Sequence, residues 1–257
     1  SLVALSFVRG DPERRLGLPA GSYTHPNHFV ALVMAIVLTV GFFAIMARMG
    51  DNVIGRSFTE RGPVPYPIVL FSLWGAVILL VKWMKLRFQR RALTLKVVPP
   101  DPSFSVSPAT AEWLLDRLHE VSDDPRRLVL FNRVQMALAN LKNMRQVGDV
   151  RHTLDSQSEA DEAVMESGYS IVKGLIWAIP VLGFIGTVLG LSVAIGSFGE
   201  VLSSSSDVAQ LKPALQRVTA GLAVAFETTL QGLLAALVLQ LGLTVVKRTE
   251  EQFLDSC

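Results

Sequence analysis

Two stretches in the second half of the chain leave it little choice of environment. Between residues 171 and 198 the only charge is Lys173, and between 218 and 246 the only charge is Glu227. A bilayer core of roughly 30 Å needs about 20 helical residues. Both stretches exceed that length, so each is expected to tilt or to project beyond the lipid. Two earlier apolar blocks cover 29–47 and 67–81; the latter is short, with Tyr66, Trp74 and Trp83 placed as interfacial anchors. Charged residues are 18% of the chain, against about 25% in soluble domains, and the deficit sits in these four blocks. The chain therefore reads as an all-α integral membrane protein: four transmembrane helices, with a helical cytoplasmic insert between helices 2 and 3.

Basic residues set the orientation. Arg9, Arg14 and Arg15 precede the first block, Lys82, Lys85, Arg87, Arg90, Arg91 and Lys96 follow the second, and Lys247 and Arg248 follow the fourth. The loop at 199–213 holds Lys212 as its only basic residue. The positive-inside rule then puts both termini and the insert in the cytoplasm. The first outer loop is its weak point, with Arg48, Arg56 and Arg61 against Asp51 and Glu60. The expected divisions are a cytoplasmic N-terminal segment (1–28), peripheral helices 1 and 2 (29–85), the insert (86–168), helix 3 (169–199), a periplasmic loop (200–213), and helix 4 with a cytoplasmic extension (214–257). The chain opens on Ser1 rather than methionine and stops within a helical pattern, so further residues are expected at either end.

Within the insert, the Pro-rich run 97–102 reads as a stiff extended linker. A helix then opens at Ser107-Pro108 with an apolar stripe of Trp113, Leu114, Leu118 and Val121. Another opens at Asp124-Pro125 and carries Leu128, Phe131, Val134, Leu138 and Leu141. Residues 151–167 read as a stem running into the third membrane helix. The basic run 82–96 reads as a topology and headgroup signal, and His25, His28, His119 and His152 as surface residues. A net charge of +2 gives no argument for nucleic acid. The single cysteine, Cys257, supports neither an internal disulfide nor a thiolate metal site. No phosphate loop, nucleophile elbow or paired-carboxylate site is present, so no enzyme activity, cofactor or metal is expected.

The chemistry-bearing pattern lies on the last two helices. Gly183, Thr187, Gly190 and Ala194 share one helical face, and Gly221, Ala225, Thr229, Gly232 and Ala236 share another. Every member is small, and each face carries one hydroxyl. Such faces let helix backbones approach closely in lipid. They are read as one narrow lining; the alternative is ordinary bundle packing, with each threonine bonded to its own i−4 carbonyl.

The run from Leu175 through Pro180, Gly183, Gly186 and Thr187 to Gly190 resembles the third-helix motif of the MotA/TolQ/ExbB proton-channel family. The run Gly221-Leu-Ala-Val-Ala-Phe-Glu227-Thr-Thr229-Leu-Gln-Gly232-Leu is similar to that family's last-helix motif. The two early helices make the layout look like the four-helix MotA arrangement, and residues 169–190 also look like the channel subunit of the Zorya phage-defence system, ZorA. The resemblance implies a homo-pentamer around a dimeric single-span partner of MotB/ExbD/TolR/ZorB type, in a bacterial cytoplasmic (inner) membrane. The partner's aspartate would carry H⁺ or Na⁺, with Thr187 and Thr229 as the lining threonines and Pro180 as a coupling proline. The second MotA-type proline has no counterpart, because Pro213 lies at the opposite end of the last helix. The resemblance thus implies the channel subunit of an ion-driven motor. A non-conducting scaffold for an envelope or defence complex is the other reading kept open.

Glu227 is the anomaly. A carboxylate near mid-membrane costs several kcal/mol unless protonated, paired or wetted. It lies about 200° round the helix from Thr229, away from the inferred lining. A structural role bonded to Thr228 or a neighbouring helix, an ion or water path between subunits, and a protonation-coupled role all stay open.

Overall fold

The computed structural model describes residues 24–49, 52–60, 62–94, 108–121, 124, 127–143, 147–203 and 208–257. Regular structure among them is all helical: α1 (His28–Arg48), α2 (Val53–Thr59), α3 (Pro65–Arg90) with a 3₁₀ turn at Arg91–Thr94, α4 (Pro108–Val121), α5 (Val129–Asn143), α6 (Val147–Ser167), α7 (Ser170–Ser203) and α8 (Val208–Asp255). Four stretches are long and apolar enough to cross a membrane: His28–Arg48, Pro65–Arg90, Leu154–Gly199 and Leu215–Asp255. The Pro-rich run 97–102, the N-terminal arginines, Arg61, Lys96 and Ser107 lie outside the described residues.

The helices divide into two compact units. The first comprises Ser1–Val30, Ile78–Ser170 and Thr244–Cys257, and the second Ala31–Val77 and Ile171–Leu243. In the second unit, α1 turns into α2 so tightly that a Cβ on Gly55 would stand 2.5 Å from the Met49 carbonyl oxygen. Only glycine fits there. Phe42, Phe58, Phe43 and Tyr66 then pack ring on ring across α1, α2 and the start of α3. Pro65 opens α3 at a position where its missing N–H has no helical partner to lose. Gly75 of α3 abuts the Leu239 side chain of α8. Large apolar side chains stay uncovered along α7 and α8, among them Trp177, Ile195, Phe226 and Val238, each about 70% exposed. Water would not tolerate so much apolar surface, whereas lipid or neighbouring chains cover it.

The first unit is a helical cluster. Phe88, Leu114, Leu118, Leu128, Phe131 and Leu138 form its core, with Val134 packed at the edge. Trp113 is not in that stripe: it is 45% exposed, with Arg117 over its ring. Gln89 caps α5, accepting from Val129 N and donating to the Arg127 carbonyl. Arg133 of α5 reaches α6 through Asp161 at 2.9 Å.

Three expected boundaries shift. The second membrane helix runs well past residue 81, because Lys82, Lys85 and Gln89 continue its buried face instead of ending it. The stem at 151–167 is a separate helix, since the chain turns at Gly168 and Tyr169 before α7 begins. The loop expected at 200–213 shrinks from both sides, and Pro213 lies inside α8.

Candidate functional site

The small-residue faces of α7 and α8 meet each other. A Cβ built on Gly190 would lie 2.5 Å from the Gly221 carbonyl oxygen and 2.8 Å from Ala225 N. One on Gly221 would lie 2.6 Å from the Gly190 carbonyl oxygen, with Ala194 beside it. Gly183 and Gly232 repeat the arrangement: a Cβ on Gly183 would sit 3.0 Å from the Thr228 carbonyl oxygen, and one on Gly232 the same distance from that of Ile179. Ala194, Ala225 and Ala236 are buried as well. The expected lining is thus placed as follows: its glycines, with Ala194 and Ala225, are taken up between the two helices of one chain, and the threonines stand half-buried among them. The physical reason is the close-approach rule itself. Two glycine faces on consecutive antiparallel helices satisfy it with each other.

The two threonines do not fold back on their own helices alone. Thr187 Oγ1 donates to the Ala225 carbonyl of α8 at 3.0 Å, and Thr229 Oγ1 donates to the Gly183 carbonyl of α7 at 3.1 Å. Each hydroxyl therefore reaches the carbonyl four residues before the other threonine. The hydroxyl oxygens are also bonded directly to each other. A hydroxyl brings one proton and two acceptor lone pairs. Two protons cannot fill all three contacts at once, so one is unmade at any moment, and each oxygen retains at least one lone pair for an outside donor or a cation.

Thr228 is fully buried and bonds back to Val224 and Ala225 of its own helix, under Gly186 and Val64. Glu227 is half-buried, and Pro180 sits within α7.

A second polar cluster lies in the first unit and was not legible as a site. Glu250 of α8 is 3% exposed and Lys82 of α3 only 1%. Glu250 Oε2 accepts from Lys82 Nζ at 3.0 Å and from the Tyr169 hydroxyl, while Oε1 accepts from Thr24. The ammonium also lies 3.8 Å from the Tyr169 ring centroid. Lys85 Nζ donates to the His25 carbonyl at 2.7 Å, and the His25 ring is 3.0 Å from the Val164 carbonyl. Burial, followed by the nearby Lys82 charge, holds the His25 imidazole below its ordinary range. Lys82 and Lys85 of the basic run are thus internal, while Arg87 and Arg91 stay exposed, and His25 is half-buried rather than a plain surface residue. One signal was available: Ile78, Lys82, Lys85 and Gln89 recur at helical spacing, and all four are buried on one face of α3.

Among the described residues, no group of three or more His, Cys, Asp or Glu side chains is placed to hold a metal. Neither a curated protein nor a solved structure matches the chain. A family model does, over residues 122–256, more than half of the chain and including both threonine-bearing helices. The chain belongs to the MotA/TolQ/ExbB proton channel family.

Proposed function

We propose that the chain is the channel subunit of an ion-driven membrane motor. Five copies surround a dimeric single-span partner whose aspartate takes up and releases the ion, and ion passage drives rotation or force. The observation that carries this reading is the Thr187–Thr229 pair: two hydroxyls held across a glycine-lined helix contact, with acceptor lone pairs left on both oxygens. A protonated carboxyl or a desolvated Na⁺ is the kind of group such an oxygen accepts. The described small faces of α7 and α8 carry no carboxylate of their own, so the titrating group comes from the partner. The glycines and alanines hold the two helices close enough for the hydroxyls to cross, rather than touching the ion themselves. Pro180, which frees one α7 carbonyl, is proposed as the coupling position. The termini and the first unit face the cytoplasm on the basic-residue count.

The test is ion flux into proteoliposomes holding the chain together with an aspartate-bearing single-span partner. Thr187→Val and Thr229→Val keep the shape and remove the hydroxyl. Flux should fall at least tenfold in each while native mass spectrometry still reports the pentamer. Full flux in both variants would remove the hydroxyls from the ion path and leave a packing or scaffold role. Glu227→Gln separates a further contribution: a change in flux with intact assembly would extend the path to the opposite face of α8.

A further inference from the structure

Past its apolar stretch, α3 has two different faces. Ile78, Lys82, Lys85 and Gln89 are buried, and Lys82, Lys85 and Arg90 turn donors inward, to Glu250, the His25 carbonyl and the Thr249 carbonyl. Leu80, Trp83 and Arg87 are uncovered: Leu80 is 52% exposed, Trp83 37%, and Arg87 is exposed below them. At 3.6 residues per turn these three lie within about 60° of one another and cover about 10 Å of the helix axis. The order along that face is aliphatic, aromatic, cationic, the order a bilayer presents from core through interface to headgroups. Residues 79–94 contain no Asp or Glu to oppose the charge.

The Arg87 guanidinium lies over the Trp83 ring, its Cζ 4.4 Å from the centroid. Helical side chains lean toward the N-terminus, so Arg87 reaches back to the indole and toward the bilayer. A contact over a ring leaves the N–H fork of a guanidinium available to a pair of acceptor oxygens. Among the described residues no carboxylate or carbonyl takes that fork. Arg91, also exposed, is already engaged within the chain and is not counted.

We propose that Trp83 and Arg87 form a binding site for an anionic phospholipid in the leaflet beside the first unit. The phosphate takes the Arg87 fork, the indole N–H of Trp83 donates at the glycerol level, and the acyl chains run along Leu80. The occupant is a lipid rather than a soluble anion because of Leu80 and Trp83. A free phosphate would meet the guanidinium alone, whereas a phospholipid covers the aliphatic and aromatic residues that stand uncovered above it. It is an anionic lipid because a cation at the headgroup level gains from negative surface charge. The site is independent of whether the threonine pair conducts.

The experiment is lipid retention by the full chain. Nanodiscs holding equal amounts of phosphatidylglycerol and phosphatidylcholine are dissolved in mild detergent, and native mass spectrometry counts the lipids that stay bound. The wild type should keep phosphatidylglycerol in several-fold preference. Arg87→Gln should remove most of that preference, and so should Trp83→Leu, which keeps apolar bulk but neither the ring nor its N–H. Arg87→Lys keeps the charge without the fork and should restore only part of it. Arg248→Gln, which removes an exposed cation of α8, should leave the preference as in the wild type. An unchanged preference in Arg87→Gln would overturn the proposal. An equal loss in Arg248→Gln would overturn it too, assigning the selectivity to overall charge. Release of the bound lipid by millimolar glycerol phosphate would show that the phosphate alone is read, and the lipid assignment would fall. If Trp83→Leu does not assemble, the Gln and Lys variants at position 87 decide.

Discussion

The helix contact that holds the threonine pair can be tested without any ion. Gly190→Ala adds one methyl carbon that would meet the Gly221 carbonyl oxygen at 2.5 Å and the Ala225 nitrogen at 2.8 Å. Both obstacles are backbone, so neither can swing aside; α7 and α8 must separate by several tenths of an ångström or more. Overpacking of this kind costs about 1–3 kcal/mol, while replacing a mid-helix glycine by alanine returns about 0.5–1 kcal/mol. The net expectation is a destabilisation of about 1–2 kcal/mol. Gly196→Ala in the same helix is the control, because nothing lies within 4 Å of a Cβ there. That variant should be stabilised by about 0.5–1 kcal/mol through helix propensity alone. Reversible unfolding of each variant in mild detergent measures both signs. Equal shifts of the same sign at positions 190 and 196 would refute the face-to-face packing and, with it, the crossing of the two hydroxyls.

Three other outcomes follow from the first unit. Lys82→Met leaves Glu250 buried with two hydroxyl donors and without its direct ion-pair partner, which should cost about 3–5 kcal/mol, whereas Lys82→Met combined with Glu250→Leu should recover most of it; thermal unfolding of the single and double variants gives the comparison. Since the folded chain holds His25 below its ordinary value of 6.5, the unfolded chain binds the proton first. Stability is therefore complete above about pH 6.5 and declines as the pH falls below it, and His25→Gln should flatten that part of the curve in pH-dependent unfolding. Burial raises the Cys257 thiol to about 11, from an ordinary value of 9.0, so its alkylation by iodoacetamide near neutral pH should run about a hundredfold slower than that of a free thiol; unfolding should abolish the difference.

What could be read from residue order was whatever depends on long apolar blocks and on motif. The four spans, the helical insert and the family all follow from those. The ends of elements were not legible where polar residues continue an apolar face. Lys82, Lys85 and Gln89 look like the end of a span, yet they prolong the stripe begun at Ile78 because Glu250, the His25 carbonyl and the α5 N-terminus receive their polar ends. Glu250 was hidden for the same reason. It sits in the charged run Lys247-Arg248-Thr249-Glu250-Glu251, where only its spacing from Val246 and Phe253 marks it as inward. The small-residue faces were found, but composition does not say which surface a glycine stripe will meet, and here the nearest one is the adjacent helix of the same chain.

That last point constrains how the proposed channel could work. A hydroxyl bonded to a backbone carbonyl gains a net of about 0.5–1.5 kcal/mol, and one bonded to an ionised carboxylate about 1.5–3 kcal/mol. An anionic aspartate arriving beside Thr187 and Thr229 would therefore draw a hydroxyl proton away from Ala225 or Gly183. The protonated aspartate, offering only a neutral acceptor, would not, and it would instead donate to the spare hydroxyl oxygen. The pair would thus present its protons to one state of the partner and its lone pair to the other. On this account serine, which keeps both groups, should support ion flux at either position, while valine, which keeps neither, should not. Flux lost in Thr229→Ser with the helix contact intact would mean that the methyl group, and not the hydroxyl, is what the partner meets.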